Sequence, residues 1–156
     1  DFRIIHPEFL LYPTYEHQKS ELLKPEHQNG LDAILKTVID LNEITFSKWA
    51  RVEEVIEVSD QKTLDLLNPF HIWTDTYAQG RLHWKPMVPI SILLLRVYTM
   101  EPVTTVPVIP EYLGCTSWVD IIPNIDTSKL TPVLTDKAFH GHVESIKGAL
   151  GLTVSV

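Results

Sequence analysis

The sequence predicts an α+β fold: a curved mixed or antiparallel sheet, or a partial barrel, with short helices and a C-terminal amphipathic helix. Three observations carry this. β-branched residues crowd two mid-chain segments, 45–58 and 90–99. Prolines and capping residues punctuate short helical stretches around them. Near the end, Phe139, Val143, Ile146 and Leu150 fall at i, i+4, i+7 and i+11, one apolar stripe on a helix. Strands clustered mid-chain, with helices between and after them, fit a sheet covered by segregated helices.

Taken in order, residues 3–12 read as extended, with Ile4, Ile5, Phe9, Leu10 and Leu11 around His6-Pro7. Thr14 then caps a short helix with Glu16 in its first turn, where an acid suits the helix dipole. Lys24-Pro25 stops it, because the residue before proline disfavours helical geometry. Residues 26–30 read as a loop, and 31–41 as either a short helix or a strand. Residues 45–58 form a long bent strand. Ser59 or Asp60 caps a helix through Leu67, ended by Asn68-Pro69. A further helical turn or two follows over 70–79, with Gly80 as its C-terminal punctuation. Residues 90–99 form a strand. Pro102, Pro107 and Pro110 predict a long irregular connection over 101–114, followed by a short strand at 117–122. Thr135 caps the last helix.

At 156 residues the chain suits a single domain with one core. It begins without methionine, so a missing N-terminal segment is expected upstream. The opening residues form neither a basic n-region nor a small-residue cleavage site. The longest apolar run, 90–98, is shorter than a membrane span and contains Arg96. No membrane association is therefore expected. Cys115 is the sole cysteine, which excludes an intrachain disulfide and a cysteine zinc site. The cytoplasm is the expected compartment. A net charge of −7 argues against a general polyanion binder but leaves room for a local basic groove.

Four polar clusters carry chemistry. In the first, His17 and Glu21 share a helix face beside Glu16, with Tyr12 and Tyr15 flanking. A carboxylate beside imidazole raises its basicity and fixes its tautomer, as a general base requires. A solvated surface pair is the alternative. The second is PFHIWTDTYAQGRLHWKP, residues 69–86, holding Trp73, Arg81, Trp84 and Lys85. Exposed indoles beside cations stack on bases and meet phosphates. Buried, the same rings serve as core anchors whose N–H groups find partners. The third is Arg96 in SILLLRVY, sharing a strand face with Ile92 and Leu94 and read equally as structural or ligand-binding. The fourth, Cys115 after Gly114, has no sequence neighbour to act as base, which favours a structural thiol. Seven histidines form no metal motif, since His140 and His142 diverge on a helix and no HExxH occurs. GxGxxG, GxxxxGK and GxSxG patterns are absent. Asp60-Gln61-Lys62 spells a nuclease-like DxK but sits at a helix start. No metal or other cofactor is expected.

FLLYPTYEHQ with LLKPEH, then NPFHIWTDTYAQGRLHWKP, ILLLRVY and GCTSWVD, in that order, resemble a bacterial uncharacterised family, domain of unknown function 1802. The resemblance runs from Phe9 to Leu150. It implies an upstream segment with a strand and a basic glycine turn, and no catalytic assignment. The domain's occurrence beside restriction-endonuclease-like domains implies a DNA-linked or defence role by association alone.

Three functions follow as expectations. The first is a nucleic-acid-associated binding module whose contact face uses Tyr12, Trp73, Arg81, Trp84, Lys85 and Arg96, with His17 at its edge and DNA or RNA as partner. The second is a metal-independent enzyme acting on a small substrate through Glu16 and His17. The third is a structural or protein-interaction domain, with a protein partner or a second copy of the chain left open.

Overall fold

A computed structural model describes residues 4–14, 18–37, 40–85, 88–114 and 117–152. The elements run β1 (Glu8–Leu10), α1 (Pro25–Leu35), β2 (Glu43–Val58), α2 (Gln61–Leu66), α3 (Asp75–His83), β3 (Ile90–Pro107), β4 (Leu130–Pro132) and α4 (Asp136–Ala149). The strands form a four-stranded sheet in the order β1-β2-β3-β4. β1 pairs antiparallel with β2, Phe9 opposite Ala50. β3 pairs antiparallel with β4, Thr99 opposite Thr131. The sheet is antiparallel and not closed, and with the helices it makes the α+β fold that the sequence predicts. Among the described residues, no helix is long and apolar enough to cross a membrane.

Several boundaries differ from the sequence reading. Of residues 14–24, the described ones hold a 3-10 turn at Ser20–Leu22 in place of the expected helix. Pro25 opens α1 rather than closing a helix before it. Lys24 is extended at ψ 145°, as a residue before proline prefers, and proline's fixed φ suits a first helical turn. Residues 26–30 are therefore helical, not a loop. α3 begins at Asp75 and carries Gly80 in its interior, because the Thr74 side chain accepts from the Tyr77 N–H and caps the helix there. β3 continues to Pro107 through Val103, Thr104, Thr105 and Val106, whose strand preference outweighs the prolines. Residues 117–122 are irregular rather than a strand.

The chain divides into two compact units. One comprises Asp1–Thr14, Val38–Glu53 and Leu95–Leu134. Its core gathers Ile44, Phe46, Val106 and Tyr112, with Leu10, Tyr12 and Ile121 against them. Ile44, Phe46 and Ala50 are buried at alternate positions of β2, the period of a strand with one covered face. The Tyr112 hydroxyl accepts from the Ile122 N–H at 3.0 Å, which satisfies a polar tip inside an apolar cluster.

The other unit comprises Tyr15–Thr37, Glu54–Leu94 and Thr135–Val156. Its core gathers Ile56, Val58, Leu64, Leu67, Leu82 and Leu94. Val143 and Ile146 of α4 and Leu150 at its C-cap pack against it, three of the four stripe residues read from sequence. Asp60 caps α2, accepting from the Thr63 N–H at 2.9 Å, which gives the DxK letters a structural use. Thr135 caps α4, its hydroxyl accepting from the Ala138 N–H at 3.2 Å. Thr135→Ala is expected to lower stability by about 1 kcal/mol, with Thr135→Ser retaining most of it, in urea unfolding followed by circular dichroism. Equal stability of all three chains would show the cap to be idle.

Candidate nucleic-acid interface

α3 turns one side inward. Leu82 is buried in the core of its unit and Ala78, one turn earlier, packs against that core. The flank beside that buried side is exposed at Arg81 and Trp84 and half-buried at Tyr77. Tyr77, Arg81 and Trp84 succeed one another at i, i+4 and i+7, and the helical backbone of Trp84 (φ −58°, ψ −39°) keeps it in line. Trp73, just before the helix, stacks on Tyr77 with ring centroids 4.8 Å apart at an interplanar angle of 34°. Trp73 is 38% exposed and Trp84 73% exposed, so neither is a core anchor. Arg81 and Lys85 are exposed beside them. The His83 Nδ1–H donates to the Gln79 carbonyl at 2.8 Å, turning that imidazole back along the helix.

A second segment fixes where Trp73 stands. Leu22–Lys24 and Ile72–Thr74 form a short antiparallel pairing: Lys24 N–H donates to Ile72 O at 2.8 Å, and Thr74 N–H to Leu22 O at 2.9 Å. Leu23 bridges Trp73 at its centre. The Lys24 ammonium donates to the carbonyls of Asn68 and His71, the latter at 2.7 Å. Asn68 in turn donates to the Asp75 carboxylate in the first turn of α3. Sequence reading took Lys24 as a helix stop and missed this clamp. Its only signal was a cation beside a proline, which does not reveal distant carbonyls.

His71 lies in the clamped turn. Burial, and then the nearby Lys24 ammonium, push its imidazole below the ordinary histidine range. The unfolded chain therefore takes up this proton at a higher pH than the folded chain. Stability from this residue is intact above about pH 7.5 and falls as pH drops through about 6.5 toward the folded value. His71→Asn is expected to flatten that fall. The check is the urea midpoint of both proteins at mildly acidic and mildly alkaline pH, and an unchanged slope between them would refute it.

The remaining candidates each have their own surroundings. Tyr12 belongs to the other unit and sets its ring edge-on to Phe46, centroids 6.0 Å apart. Arg96 also belongs to that unit and is 4% exposed, with its guanidinium carbon 5.9 Å from the Tyr98 ring centroid. Tyr98 meets Trp49 edge-on at 5.2 Å. A guanidinium held inside in this way does not present itself to a polymer, so the structural reading of Arg96 fits its placement. Glu16 and His17 lie outside the described residues, as does Cys115. The same unit carries an open depression of about 430 Å³ beside Phe9, Trp49 and Ile125. Among the described residues, no group of three or more histidines, cysteines and acids is placed to hold a metal ion.

The family model described as Domain of unknown function (DUF1802) matches residues 1–145. No curated protein and no solved structure matches the chain.

Proposed function

Because the chain belongs to the DUF1802 family, whose description names no activity, we propose its function from its own surface: a nucleic-acid-associated binding module that makes contact through the outer face of α3. The observation that supports this is the alignment of exposed Trp73, Arg81 and Trp84 with half-buried Tyr77, with Lys85 following. Aromatic rings offer base-stacking surface and the two cations offer phosphate contacts. The net charge of −7 means that binding depends on this local patch rather than on the field of the whole chain. The reading places the protein in the cytoplasm, where a lone cysteine suits a reducing compartment. A link to restriction or defence systems belongs to the same proposal and rests on family association.

The test is fluorescence anisotropy with labelled short DNA and RNA, single- and double-stranded, at low and near-physiological salt. Binding is expected to weaken with salt. Arg81→Ala and Lys85→Ala should each weaken it further and each reduce the salt slope by about 0.7 to 0.9, the contribution of one phosphate contact. Absence of binding at low salt removes the proposal.

A further inference from the structure

We infer that the nucleic acid taken by α3 is single-stranded, with one unpaired base on Trp84, a second on the Trp73–Tyr77 pair, and the connecting backbone held by Arg81 and Lys85. This rests on the nucleic-acid reading above and narrows it to one substrate class.

The first argument is the shape of the face. Tyr77 and Trp84 are seven residues apart, about 10 Å along the helix axis at 1.5 Å per residue. Gly80 lies between them, three residues after one and four before the other. A Cβ built on Gly80 would meet nothing within 4 Å. Between the two aromatic platforms the helix therefore shows bare backbone at Gly80 and the side chain of Arg81 beside it. The result is a shallow seat with a ring at each end and a cation beside it.

The second argument concerns what such a seat can take. In a duplex each base is covered above and below by its neighbours, so a flat indole finds no free face to stack on. An unpaired strand can turn its bases out onto aromatic rings. Helices that read duplex DNA usually lead into the major groove with their N-terminal residues. Here the first turn of α3 carries Asp75, whereas Arg81 lies in the last turn and Lys85 just beyond it. An acid at the leading end opposes approach to a groove walled by phosphates.

The third argument is charge. With two cations on the face among the described residues, Arg81 and Lys85, backbone neutralisation is small, and a single strand held by both gives a salt slope of about −1.4. Most of the affinity must then come from stacking, which does not depend on the net charge of the chain. Each stacked base contributes on the order of 5- to 150-fold in affinity.

The test uses the whole chain and four labelled probes of about 12 nucleotides: oligothymidine, oligouridine, an abasic deoxyribose strand and a mixed-sequence DNA duplex. Binding of oligothymidine, oligouridine or both is expected, and the comparison tells DNA from RNA. The duplex and the abasic strand should bind at least about 10-fold more weakly. Trp84→Ala should weaken single-strand binding on the order of 10- to 100-fold, with Trp84→Phe restoring most of it. Gly80→Leu adds a good helix former over open space, so it should leave the unfolding midpoint no lower while weakening binding by filling the seat. Duplex or abasic strand binding as tightly as the intact single strand overturns this inference and leaves the nucleic-acid reading standing. So does indifference to both Trp84→Ala and Gly80→Leu. Failure of all four probes at low salt removes the nucleic-acid reading itself.

Discussion

Replacing Phe46 by alanine is expected to destabilise the chain by about 3–5 kcal/mol, seen as a fall in the urea midpoint with little change in slope. Phe46 is fully buried and sits at the centre of the cluster formed with Ile44, Val106 and Tyr112. Its ring also receives the edge of Tyr12. Truncation removes apolar area and leaves a void whose lining loses contacts, and both effects act in the same direction. β2 lies between β1 and β3 in the sheet, which limits how far its backbone moves into the space. Tyr112 should loosen as well, and with it the hydrogen bond to Ile122. A loss under 1 kcal/mol would show that the site relaxes freely and that the cluster is not a packed core.

Glu54→Ala is expected to cost about 2–3 kcal/mol, more than a surface carboxylate normally contributes. Lys147 is 9% exposed, and its ammonium donates to Glu54 Oε2 at 3.0 Å. Without Glu54 the ammonium stays in a poorly solvated position with its partner gone. The Glu54 side chain is 36% exposed, so water screens the pair and holds the cost below that of a fully buried one. Lys147→Met should be much milder. It removes the charge together with its need for a partner and keeps an unbranched apolar stem against the core. This asymmetry identifies a charge held for pairing rather than for packing. Equal losses in the two variants would argue against it.

β2, the first half of β3 and α4 were legible because each repeats one simple period. Alternate positions of β2 and β3 are buried, and α4 carries its stripe at helical spacing. Thr135 and Asp60 announce their helices by a short side chain one residue before the first turn. Proline was the main source of error. The same residue ends a helix, starts one or sits in a strand, and the difference depends on neighbours distant in sequence. Pro25 starts α1, and Pro102 lies within β3. Tryptophan was the second source, since its ring suits a core or a wet surface equally well. Its sequence neighbours do not settle the matter, and the structure does: Leu82 is buried and Ala78 partly buried, while Trp84 faces outward. The sequence left Arg96 open between two roles, and it gave no sign that Lys147 is an interior residue.

The Lys24 ammonium grips carbonyl oxygens, atoms that every amino acid carries. The grip is therefore blind to which side chains stand at positions 68 and 71. Mutational drift at those two places leaves it in force, whereas neutralising the lysine releases both carbonyls at once. A saturation library of this chain should accordingly show position 24 as narrow and position 71 as broad in folded yield. The unequal tolerance would mark the lysine as the keeper of the turn that presents Trp73.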